Sequence, residues 1–209
     1  MTIALPARRP VLADRVLPRN LATDAVLVIA GVALVTLFSY LQVPLWPVPI
    51  TGQTLAVLLV GSTLGAARGG ISMVLYGLVG SLGLPVFAPD ADGSLSSGWH
   101  VIVGPTGGYI VGFVLSAVLV GLLAERTWDR RVLKAIVTFV AGSVAVFAVG
   151  LPWLAVVLHL DLEQTLEAGL YPFLIGGAIK AAIAAGLLPL AWLGADRLVA
   201  RRARDDAER

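Results

Sequence analysis

The amino-acid sequence predicts an all-α membrane protein with six transmembrane helices and both termini in the cytoplasm. Three observations carry that expectation: an apolar composition, apolar runs of near-spanning length, and cations confined almost entirely to alternate loops. The 209 residues are 58% hydrophobic and 13% charged, with a mean hydropathy of +0.91. A soluble domain of this size carries roughly 25% charged residues. The chain therefore lacks the polar surface a globule needs in water, and lipid is the fitting solvent.

The pI of about 9.3 accompanies a net charge of only +2, and the cations sit in short clusters between apolar runs. That pattern fits juxtamembrane flanks and gives no nucleic-acid-binding face. With no cysteine there is no disulfide frame and no thiolate metal site or nucleophile. Arg8, Arg9, Arg15 and Arg19 precede an apolar run from Ala25 to Leu41 that leads into a Pro-rich segment without an Ala-x-Ala site. The run reads as an uncleaved first helix, placing the basic segment 1–24 in the cytoplasm.

Apolar stretches fall at 25–42, 53–67, 69–84, 104–124, 134–158 and 172–195. The second and third are short and divided by Arg68 within a Gly-rich turn, so a single merged helix is the alternative. Charge decides between them. Loop 1 (43–52) is uncharged, loop 2 holds Arg68, and loop 3 has only Asp90 and Asp92. Loop 4 carries Arg126, Arg130, Arg131 and Lys134, whereas loop 5 has only Asp161, Glu163 and Glu167. The tail carries Arg197, Arg201, Arg202, Arg204 and Arg209. Six crossings put all of these cations on one side, as the positive-inside rule requires, and five do not. The expected organisation is one membrane domain at 25–198, with its pocket on the extracytoplasmic side, and a charged cytoplasmic tail at 199–209.

Lys180 is the exception, a cation inside the sixth apolar run. Placing a charge there costs on the order of 2.5–3.5 kcal/mol, so the ammonium needs an anion or a strong carbonyl acceptor. Facing a ligand and snorkelling to the interface are the two readings. In loop 1, Pro44, Pro47 and Pro49 forbid helix, and Thr51 is a candidate cap for the second helix, with Gln53 in its first turn. A rigid turn and a lid over a small polar ligand both fit, Trp46 being part of either. The run Gly-Pro-Thr-Gly-Gly-Tyr at 104–109 opens the fourth helix, with Pro105 at its start and Gly107 and Gly108 leaving room for a neighbouring helix or a ligand. Tyr109 lies one turn in, and Trp99 and His100 end the long loop before it.

Enzyme chemistry finds little support. There is no Gly-x-x-x-x-Gly-Lys-Ser/Thr phosphate loop, and no His/acid cluster with metal-ligand spacing. His100 and His159 lie in or beside outer loops and read as surface histidines. The expectation is no cofactor, no metal and no catalytic residue.

Four ordered motifs carry a resemblance: Pro-Val-Pro-Ile-Thr-Gly-Gln-Thr-Leu at 47–55, Gly-Leu-Pro-Val-Phe-Ala at 83–88, Gly-Pro-Thr-Gly-Gly-Tyr at 104–109, and Tyr-Pro-Phe followed by Lys-Ala-Ala-Ile-Ala-Ala-Gly-Leu-Leu-Pro within 171–189. Across 25–195 the chain closely resembles the BioY family, the biotin-binding S components of energy-coupling factor (ECF) transporters. The resemblance implies biotin uptake at the plasma membrane, with a pocket built from the later helices and closed by loops 1 and 3. It also implies a transmembrane coupling protein and two ATPase subunits as partners, ATP being used only by them. Some members of the family act without those partners. A self-sufficient transporter or facilitator for a small organic anion or vitamin is the alternative, although no internal symmetry supports it.

By resemblance, Lys180 matches a lysine of the family's sixth-helix motif, and Gln53, Thr106 and Tyr109 match positions beside the pocket. The family's Pro-Phe-x-Pro-Gly-Asp-x-x-Lys departs here at Ile175 and Gly177. A carboxylate three residues before Lys180 would share its helix face, so Gly177 removes the expected partner. Either the ligand contacts shift toward Trp99, Tyr109, Tyr76 or Gln53, or substrate affinity is altered. Ala30, Gly31 and Ala33 are the first-helix candidates for packing on the coupling protein, without a clean Ala-x-x-x-Ala.

Overall fold

The computed structural model describes residues 9–90 and 92–207; Arg8 and Arg209 lie outside the described residues. The elements run α1 (Leu12–Val16), α2 (Leu21–Ser39), β1 (Gln42–Val43), β2 (Ile50–Thr51), α3 (Gln53–Ser81), α4 (Trp99–Val103), α5 (Gly107–Ala124), a 3-10 turn (Trp128–Arg130), α6 (Val132–Leu158), α7 (Leu162–Gly169) and α8 (Tyr171–Ala207). Among the described residues, α2, α3, α5, α6 and α8 are long and apolar enough to cross a membrane.

Although α3 runs as one element, it is a hairpin. Gly65 breaks it with φ +83°, a conformation that glycine adopts without a Cβ penalty. The side chains of Gln53 and Tyr76 are hydrogen-bonded across 23 residues, a span of about 35 Å in an unbroken helix. A Cβ on Gly69 would stand 3.1 Å from the Gly61 Cα. Arms 53–64 and 66–81 therefore lie side by side. The break falls three residues before the expected divider, and Arg68 belongs to the second arm. Glu125 accepts from the Ala66 N–H freed at the break, with its Oε1 3.1 Å away.

Glycines bring the central helices together, as packing in lipid requires where no water-driven force acts between helices. A Cβ on Gly61 would stand 2.7 Å from the Ala117 carbonyl of α5, and one on Gly112 would stand 2.8 Å from the Val146 carbonyl of α6. Helix α2 rests on the second arm, where the Ser72 hydroxyl meets the carbonyls of Val28 and Arg68 at 3.2 and 2.8 Å. On α8 one face buries Ala181, Ala184, Ala185, Leu188, Trp192 and Ala195, at helical spacing. The opposite face exposes Ile175, Ile179, Ile183, Leu187 and Leu190, a surface suited to lipid.

The two ends of the bundle differ. At one, ions gather: Arg68 bridges Asp14 and Asp24 at 2.8 and 2.7 Å, Arg15 pairs with Asp196 at 2.9 Å, and Arg130 donates to the Pro10 carbonyl at 3.1 Å. Val11 is buried there, near the Gly65 break. At the other end lie the β1–β2 ribbon, the 82–98 segment, α4 and α7. Several boundaries depart from expectation. The first spanning helix begins at Leu21, α5 starts after Pro105, and α8 continues unbroken through the expected tail to Ala207. The short helices α1, α4 and α7 lack the long apolar repeat by which the others are recognised.

Candidate functional site

At the end opposite the ion pairs a cavity of about 300 Å³ opens between the ribbon, the 82–98 segment, α3, α5 and α6. Strands β1 and β2 pair antiparallel, Val43 opposite Ile50 and Gln42 opposite Thr51, so the three prolines stiffen a hairpin tip instead of one extended strand. The tip, 44–49, lines the cavity, and Trp46 stands 80% exposed upon it. The facing segment is tied down from α2 and β1. Ser39 donates to Val86, Tyr40 to Pro85 and Gln42 to Pro89, all backbone carbonyls.

A relay of neutral polar groups forms one wall. The Thr51 hydroxyl donates to Gln53 Oε1 at 3.0 Å, Gln53 Nε2 donates to the Tyr76 hydroxyl at 2.5 Å, and that hydroxyl donates to the Val86 carbonyl at 3.0 Å. Gln53 retains a second amide proton and a second lone pair for a ligand. Thr51 is not the cap residue of α3, a place taken by Gly52, but its hydroxyl does accept from the Gln53 N–H at 3.2 Å.

Aromatic rings form the rest. Tyr109 stacks on Phe173 with centroids 6.3 Å apart and meets Phe147 edge-on at 6.2 Å, while Phe87 meets Tyr76 edge-on at 5.4 Å. Tyr109 donates its hydroxyl to the Gly169 carbonyl at 3.1 Å, and Trp153 donates to the Gly104 carbonyl at 2.9 Å, fixing the start of α5 against α6 and α7. The arrangement suits a flat or bicyclic ligand with polar edges.

Thr51, Gln53, Tyr76, Thr106 and Tyr109 all line the cavity. Lys180, Trp99, Gly107, Gly108 and Gly177 do not. The Lys180 ammonium donates to the Thr51 carbonyl at 2.5 Å, meeting the need for a strong acceptor inside the protein and tethering α8 to the ribbon. Gly107 and Gly108 allow close packing, since their Cβ atoms would collide with the Ile102 carbonyl and the Trp153 side chain. A Cβ on Gly177 would meet nothing within 4 Å, and Trp99 is 65% exposed. Of the first-helix candidates, Ala30 and Ala33 are exposed, whereas Gly31 faces Ser72 and Val60. Sequence reasoning missed Phe87, Phe113, Phe147, Phe173, Asp90 and His100 as lining residues. The 83–88 motif was the one signal that could have found Phe87.

No His/Asp/Glu group among the described residues has metal-site geometry.

Comparison with known proteins completes the picture. The chain is 37% identical to the biotin transporter BioY of Thermotoga maritima, over 76% of this chain and 90% of that one. It is 34% identical to a probable biotin transporter BioY of Pyrococcus horikoshii, over 78% and 92%, and 32% identical to biotin transporter BioY2 of Lactococcus lactis, over 74% and 82%. The fold matches the crystal structure of the S component for biotin from an ECF-type ABC transporter, with a TM-score of 0.70 at 24% identity, over 80% of this chain and 89% of that one. The sequence profile of the BioY family matches residues 10–197, and the chain belongs to the BioY family.

Proposed function

We propose that this chain captures biotin in the cavity and serves as the membrane-embedded S component of an ECF importer, performing no bond chemistry itself. The observation that carries the reading is the pairing of an aromatic wall with the Thr51–Gln53–Tyr76 relay. The fused rings of biotin offer faces for Tyr109, Phe147 and Phe173, and its ureido group both donates and accepts, as the Gln53 amide does. The names borne by the similar proteins support the same ligand.

Counting the two arms of α3 separately gives six crossings, with both termini in the cytoplasm and the protein in the cell membrane. Support comes from α1, the α3 break, the 3-10 turn and the end of α8 meeting at the ion-rich end. The positive-inside rule favours that end as cytoplasmic, with the cavity opening outward. Residues 1–24 and 199–209 then flank the membrane domain 25–198 on the cytoplasmic side. A coupling protein and two ATPase subunits would supply ATP-driven release. Ala30 and Ala33, on the outward face of α2, are the proposed coupling contact, and Gly31 packs inside the protein. Membrane lipid covers the remaining apolar exterior.

Uptake of labelled biotin into a biotin-requiring bacterium tests the function. Expression with a coupling protein and its ATPases is expected to give uptake that ATP depletion abolishes. Equal uptake in depleted cells lacking those partners would instead establish a self-sufficient transporter.

A further inference from the structure

Among the described residues, the cavity lining contains no lysine and no arginine. Its ionisable side chains are Tyr76 and Tyr109, both buried, and Asp90 and His100, both exposed at the rim. Lys180, the cation expected to meet an anionic ligand, is turned to the Thr51 carbonyl and does not line the cavity. Among the described residues, His100 is thus the basic side chain of the lining. Its ring lies over Gly98, with Nδ1 3.2 Å from where a Cβ would stand, and no protein group among the described residues hydrogen-bonds to it. The neutral relay, by contrast, lies inside: Tyr76 is fully buried and Gln53 only 6% exposed. A ligand with a neutral polar head and an anionic tail is therefore oriented head inward, with its tail at the rim.

We infer that His100 receives the carboxylate of the bound ligand at the rim of the cavity. The inference rests on the biotin reading and assigns His100 a positioning and specificity role at the same cavity. The charges around it are few. Helix α4 has no other ionisable residue, the α3 and α5 faces of the cavity present only Tyr76 and Tyr109, and the 82–98 segment contributes Asp90 to the lining. Asp92, in that segment, is held below the usual carboxylate range by hydrogen bonds from Ser94 and stays charged throughout neutral pH. The His100 ring supplies the N–H donor that an incoming carboxylate needs beside these acids. Because the rim is wet, the effect is modest.

The test titrates biotin and its uncharged methyl ester into the purified full-length protein. His100→Ala is expected to weaken biotin about three- to fivefold and to leave the ester unchanged, and His100→Lys to hold biotin at least as tightly as the unaltered protein. Unchanged biotin affinity in His100→Ala, or equal losses for biotin and ester, overturns the inference while the biotin reading stands. Failure of the unaltered protein to bind biotin or ester overturns both.

Discussion

The two ends of this helical bundle handle polar groups in opposite ways. At the ion-rich end, Asp14 is only 4% exposed and sits against Arg68 and Arg19, while Arg15, Arg130 and Arg202 fasten the N-terminal segment to α8 and to the 3-10 turn. At the cavity end the Thr51–Gln53–Tyr76 relay is built of neutral groups, an amide and two hydroxyls, beside open space. Charged pairs close one end because each partner satisfies the other, whereas neutral groups leave hydrogen-bonding capacity for a ligand without the desolvation cost of a bare charge. Ion pairs are concentrated at one end and the cavity at the other.

Substitutions at the ion-rich end test the first half of that contrast. The largest effect is expected for Gly121→Val, since even a Cβ there would stand 2.3 Å from the Ala66 nitrogen beside the α3 break. Backbone has nowhere to retreat, so a loss of about 3 kcal/mol or more, read as a Tm about 10 °C lower or as failure to purify as a single species, is predicted. Arg68→Ala leaves Asp14 with the exposed Arg19 and Asp24 with no ion pair among the described residues. It is expected to lower Tm by about 5 °C with biotin affinity unchanged. A matching loss of affinity would show that the ends are coupled.

Lys180→Met sharpens the comparison from the cavity side. The ammonium holds the ribbon through Thr51, so its loss is expected to act on ligand release, raising the dissociation rate by a few fold with little change in association rate. A fall in association rate alone would point to direct contact with ligand.

Asp129 gives the smallest effect. Burial raises the pKa of its carboxyl despite the Trp192 indole, which donates to Oδ2 at 2.7 Å. Because the folded state holds the proton more firmly than the unfolded chain, ionisation costs stability. That cost is complete above the raised pKa and disappears as pH falls through it toward the unfolded value of about 3.9. Asp129→Asn retains an acceptor for Trp192. It is expected to raise Tm slightly at neutral pH and to flatten the rise in Tm on mild acidification.

Much of this was legible in the sequence. Apolar runs and charge placement outlined the spanning helices, and loop motifs pointed to Thr51, Gln53, Thr106 and Tyr109 as cavity neighbours. The break in α3 was placed at Arg68 because a charge is conspicuous in an apolar run, although Gly65, with its positive φ, is where the chain turns. Phe113, Phe147 and Phe173 escaped notice because a phenylalanine facing a cavity reads the same as one facing lipid or core. Lys180 stood out correctly as a cation needing a partner. That its partner is the Thr51 carbonyl depends on the ribbon register, which pairs Thr51 with Gln42 and which no local pattern specifies.

Calorimetric titration of biotin into the purified protein, alongside Gln53→Ala, tests the central claim most directly. The account predicts saturable one-to-one binding that other vitamins do not compete for, weakened at least about tenfold in Gln53→Ala at an unchanged Tm. Absence of saturable biotin binding, or full-strength binding in Gln53→Ala, would contradict it.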